Sequence, residues 1–199
     1  MPRTLWNDFF DRFTVGLNAV DPITFLAAWD LEEARTTVYR GILKGVADGM
    51  GLAFKREHCR IDFMLGSAHP VGSDAPWAFV PVIAVESENE AMDAHNEVNH
   101  LHALTAPVKV LITCALWTRE GRAQWDSQRL LAHWRGIRQA HVDATPHRPD
   151  DVFAIIVGEK ARDGRSVRFF LEMLSDPAGS TSGTAFATVA LPASGQAAG

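Results

Sequence analysis

Three acidic side chains in apolar surroundings are the residues whose types and spacing point to chemistry. Asp62 lies in Arg60-Ile61-Asp62-Phe63-Met64-Leu65, and Glu86 and Glu88 lie in Val85-Glu86-Ser87-Glu88-Asn89. The second segment closes an apolar run that begins at Trp77, which reads as a buried strand. Side chains alternate faces along a strand, so Glu86 and Glu88 share one. Carboxylates beside a hydrophobic core are costly unless positive charge meets them. A divalent cation meets several at once, and Mg²⁺ or Mn²⁺ is the choice for an all-oxygen set. The same residues have a plainer reading, in which Asp62 is a strand-end group paired with Arg60 or Lys55.

Other chemistries find less support. His95, Asn99 and His102 follow helical spacing, yet no H-E-x-x-H accompanies them, so zinc is not favoured. G-x-S-x-G is absent, as are the P-loop and G-x-G-x-x-G, which argues against a serine hydrolase and against a nucleotide cofactor. Cys59 and Cys114 form no C-x-x-C pair and read as buried thiols of a reducing compartment.

The elements that must position the acids follow from periodicity. Leu5, Trp6, Phe9, Phe10, Phe13, Leu17 and Val20 recur at helical spacing. Asp21-Pro22 opens a second helix that runs to Trp29. A third helix spans residues 31–48, with Asp30 and Glu33 as a capping box. Its Gly41, Gly45 and Gly49 form a stripe that predicts a closely packed backbone. Strands are expected at 52–58 and 60–65, a loop at 66–76, and the buried strand from Trp77. A helix over 90–104 leads to a strand over 108–116. A long helix over 120–141 and strands at 152–158 and 167–174 complete the order. Residues 175–199 are rich in Ser, Gly, Ala, Thr and Pro and read as a flexible tail, within which 185–191 is a weak edge-strand candidate.

The fold class expected is α/β, a mixed central sheet flanked by helices, with an α-β-β-β-α-β core. One domain fills 1–174, residues 1–29 forming an N-terminal helical extension. At 199 residues, 47% hydrophobic, the chain can bury one good core. Its formal charge of -5 is not that of a dedicated polynucleotide binder. No signal-peptide pattern opens it, and no apolar run reaches the roughly 18 residues of a membrane helix. A soluble, cytoplasmic protein without a membrane partner is the expectation.

A helix with early glutamates, a strand with an aspartate, a strand ending in E-x-E and a crossover helix together resemble the PD-(D/E)XK, or restriction-endonuclease-like, superfamily. The matching residues are Glu32 or Glu33, Asp62, and Glu86 with Glu88. Asn96-Glu97-Val98-Asn99-His100 and the strand after Pro107 are similar to a bacterial subgroup. The resemblance spans residues 30–116 and implies a Mg²⁺-dependent nuclease acting on DNA. In that reading Asp62, Glu86 and Glu88 hold the metal, Glu32 or Glu33 assists, and His100 beside Glu97 takes a secondary role. The parent pattern has lysine where this chain has Glu88. That departure leaves open an inactive relative serving as an interaction module, or a homo-oligomer formed through the aromatic first helix. Arg122, Trp125 and Arg129, at i, i+3 and i+7, form a candidate nucleic-acid stripe; Arg119, Arg135 and Arg138 add charge nearby.

Overall fold

In the computed structural model the described residues are 2–71, 78–118, 127–145, 151–175 and 184–192. Their helices are α1 (Pro2–Ala19), α2 (Pro22–Trp29), α3 (Glu32–Gly49), α4 (His95–Ala103) and α5 (Ser127–Ala144). The strands are β1 (Ala53–His58), β2 (Ile61–His69), β3 (Ala78–Glu88), β4 (Val108–Cys114), β5 (Val152–Lys160), β6 (Ser166–Met173) and β7 (Ala187–Ala190). The fold is α/β. Seven strands lie in one sheet in chain order. β3, β4 and β5 run parallel to one another, and the pairs on either side are antiparallel.

Alternation along the strands builds two cores. Phe63, Leu65, Ile83, Val85, Val110, Ile112 and Ile156 face α1, α2 and α3. Met64, Ala84, Leu111, Ile155, Val157 and Phe170 face α4 and α5. β4 is buried along almost its whole length, as a strand covered by helices on both faces must be. Among the described residues no helix is long and apolar enough to cross a membrane.

Several expectations change. The segment assigned to a flexible tail contributes β7, whose Val189 and Ala187 pair with Val167 and Phe169. Its alternating burial gives a four-residue edge strand enough apolar contact to dock, despite the surrounding small-residue composition. The proposed N-terminal extension is integral to the core. Trp6, Phe9 and Phe13 are buried, and the Phe10 ring lies 4.8 Å from that of Phe186. The aromatic face offered to an oligomer partner is thus covered by the chain itself.

β2 continues through the expected loop as far as His69, with a register irregularity between Leu65 and Gly66. Any side chain at residue 66 would run into the Val80 carbonyl, which is why glycine sits there. Helix α4 starts at His95 instead of residue 90, after turns at 91–94. Trp77 and residues 120–126 of the expected fifth helix lie outside the described residues.

Two cap assignments part company. Asp21 accepts the Thr24 amide N–H at 2.9 Å and caps α2 as expected, a contact worth about 1 kcal/mol. The Asp30–Glu33 capping box does not form. Leu31 is the N-cap of α3 and makes no side-chain cap, while Asp30 pairs with Lys160 Nζ at 2.5 Å. The glycine stripe also receives no backbone. Space above Gly41 and Gly45 is open, and both line a groove of about 690 Å³ between α1 and α3. The close approach falls elsewhere, at Gly16 against Ile42 and at Gly49 against Arg12.

Candidate functional site: a carboxylate pair across two strands

The β2–β3 register, with Phe63 opposite Val85, sets Asp62 opposite Glu86 on the α4 side of the sheet. Two hydrogen bonds tie them together. The Asp62 amide donates to Glu86 Oε2 at 3.1 Å, and the Ser87 amide donates to Asp62 Oδ2 at 2.9 Å. Glu88 shares the face but turns to its own chain, one oxygen accepting the Asn89 and Glu90 amides at 2.6 and 3.1 Å. Register and strand period thus bring together the three sequence-predicted carboxylates. Their oxygens, however, are held by backbone amides. Among the described residues no group of three or more His, Cys, Asp or Glu side chains is gathered to hold a metal ion.

Burial dominates the electrostatics. Glu86 is only 4% exposed. Loss of water raises its pKa to about 8, helped by the charges of Asp62, Glu97 and Glu88 and opposed by the Asp62 amide. Asp62 is raised by burial as well, with Glu88 and Glu57 adding to the effect and the Ser87 amide and Arg56 opposing it. Glu97, from α4, is raised by burial and by Glu88, while His100 and His95 pull it down. Its Oε2 is buried without a hydrogen-bond partner. Basic groups thus act on Asp62 and Glu97, but none is among the causes acting on Glu86.

As holders of a divalent cation, Asp62 and Glu86 fit as a pair. They are opposed on adjacent strands, both shift toward the neutral form, and no cation among the causes of Glu86's shift offsets this. Glu88 fits less well, since one of its oxygens already caps the turn.

The other predicted residues disperse. Glu32 and Glu33 are exposed in the first turn of α3, and His100 is exposed on α4. The inward side chain of that first α3 turn is Arg35, 8% exposed, at i−4 from the buried Tyr39. Sequence reasoning missed it, although the apolar spacing of Tyr39, Ile42 and Val46 runs back to residue 35. Arg122, Trp125 and Arg119 lie outside the described residues, while Arg129 is exposed on α5. Arg138 is committed to Asp151 at 2.9 Å. His95 and His102 do not form a common site: the His95 ring faces His133, and the His102 ring stacks on His141.

The two thiols also part from the shared expectation of burial. Cys59 is exposed in the β1–β2 turn, whereas burial raises the pKa of Cys114 to about 11.

No protein-family model and no curated protein matches the chain. Among solved structures it is similar to the central domain of yeast acetyl-CoA carboxylase, at 9% identity and a TM-score of 0.39. The match covers 84% of this chain and spans 28% of the yeast one.

Proposed function

We propose that the protein is a divalent-cation-dependent phosphodiesterase of nuclease type, acting on DNA, with Mg²⁺ or Mn²⁺ held by Asp62 and Glu86. The opposition of buried Glu86 and half-buried Asp62 across β2 and β3 carries the reading. A bound cation would supply counter-charge for the phosphoryl transition state and a more acidic water. The chain's own contributions are separate. Glu86, raised to about 8 by burial, would give up its proton on binding a cation, and Asp62, raised in the same direction, would be drawn toward its charged form. Glu97, with an unpartnered oxygen and a raised proton affinity, is suited to accept a proton from the attacking water. Glu88 fixes the turn into the crossover segment. Arg129, exposed on α5, is available to a DNA phosphate.

One observation favours a second reading, an inactive relative that serves as an interaction module. Glu88 stands where the resemblance calls for lysine, and its oxygen is used in a turn.

Calorimetric titration of Mn²⁺ into the wild type, Asp62→Ala and Glu86→Ala separates the two. The enzyme reading expects binding by the wild type, at least tenfold weaker in either variant, and metal-dependent plasmid nicking lost in Glu86→Ala. No binding by the folded wild type refutes it; binding without nicking leaves the module.

A further inference from the structure

Arg35 is a buried cation whose charge is not answered. Its Nη1 donates to the Trp29 carbonyl at 2.5 Å and its Nη2 to Asn89 Oδ1, both neutral acceptors. The guanidinium also lies 5.2 Å from the centroid of the Trp29 ring. No ion pair to a carboxylate is formed by Arg35 among the described residues. Buried guanidinium groups are ordinarily matched by an anion, because neutral oxygens recover only part of the lost hydration.

A second, independent feature lies one helical turn away. Tyr39 is 1% exposed, and its hydroxyl has no hydrogen-bond partner among the described residues. Arg35 and Tyr39 are close enough to interact electrostatically. Both are donors, so the group that satisfies them together is an acceptor bearing negative charge. Arg35 belongs to the first turn of α3, whose N-terminal amides have no side-chain cap and whose dipole favours an anion, opposed by the exposed Glu32 and Glu33 of that turn. Through Asn89, the guanidinium reaches the residue immediately after Glu88.

We infer that Arg35, with the Tyr39 hydroxyl behind it and the uncapped start of α3 beside it, forms a phosphate-binding site for the polynucleotide backbone just beyond the C-terminal end of β3. The inference rests on the phosphodiesterase reading for its substrate, but not for the binding itself. The cation comes from α3, on the opposite face of the sheet from Asp62 and Glu86, and meets their strand only at Asn89. The fork of a guanidinium suits phosphate oxygens, and Asn89, a neutral partner, can yield to them.

The test is a metal-free titration of the full chain, followed by backbone-amide NMR, with inorganic phosphate in one arm and a short single-stranded DNA in the other. Both ligands should shift the amides of residues 32–39 at constant ionic strength. Arg35→Gln, which keeps a donor for the Trp29 carbonyl, should weaken both by about tenfold or more. Arg35→Lys should recover part of the loss. Wild-type amides at 32–39 unmoved by phosphate overturn the site, whether or not any variant folds. Shifts with phosphate but not with DNA overturn the backbone assignment. Loss of Mn²⁺ binding with phosphate binding intact would remove the phosphodiesterase reading alone.

Discussion

Two buried charge clusters sit on the same face of the sheet and solve the same problem in opposite ways. At the start of β4 and β5, Lys109 is 1% exposed and donates to Asp151 at 2.5 Å, and Arg138 reaches the other oxygen of that carboxylate at 2.9 Å. Burial alone would raise the Asp151 pKa, but the two cations outweigh it and hold the carboxyl below its usual range. The same cations, after burial, drive His102 down to about 3 and keep it neutral. At the far end of β3, Asp62 and Glu86 have amides for partners and acids for neighbours, and both are pushed up. The matched cluster is finished as a structural element. The other keeps raised carboxyls beside one another, and perturbed acids of that kind are the physical ground for the proposal made at that site.

Removing a partner from the matched cluster should have the largest effect. Lys109→Met leaves Asp151 buried with Arg138 alone, and urea denaturation at neutral pH should show a loss of roughly 3 kcal/mol. A loss under 1 kcal/mol would mean the two clusters do not differ as described.

Glu86→Gln should do the reverse. With a folded pKa of about 8 against an ordinary 4.5, the folded chain keeps a proton that the unfolded chain releases between those values. This contribution is fully present below about pH 4.5 and is lost as pH rises through 8. The amide variant should therefore be the more stable of the two at pH 9 and differ little from the wild type at pH 4. Mg²⁺ should narrow the gap at high pH by stabilising the wild type alone. A pH-independent difference would sink the electrostatic account.

The smallest effect concerns the hairpin that presents Asp62. Cys59 and Arg60 occupy its two-residue loop at φ 55° and 65°, with His58 opposite Ile61. Both residues being left-handed matches a tight type I′ turn, which favours Asn-Gly. The double change Cys59→Asn, Arg60→Gly should raise stability by about 1 kcal/mol in thermal melts without altering metal titration.

What the sequence made legible were features set by short-range rules. Period two placed Glu86 and Glu88 on one face, and Asp21-Pro22 announced α2 with its cap intact. What it hid depended on distant partners. Asp30 looked like the cap of α3, yet Leu31 takes the N-cap position and Asp30 pairs with Lys160 of β5. Glu32 and Glu33 looked like site residues because of their type, whereas the helix rotates Arg35 inward. β7 was masked by small residues because its merit lies in docking beside β6, not in intrinsic propensity. The carboxylate pair was legible as residues; its register was not, since it follows from how β2 and β3 align.

Every strand pairs with its neighbour in the chain, so the sheet can be laid down in the order of synthesis, each hairpin or crossover adding to an edge already present. The aromatic face of α1 is the exception. Its Phe10 waits for Phe186, so Trp6, Phe9 and Phe13 must remain incompletely sheltered while the intervening chain is made. A nascent chain stalled before β7 would display a greasy helix with nowhere complete to lie, making that interval the one in which chaperone contact matters most.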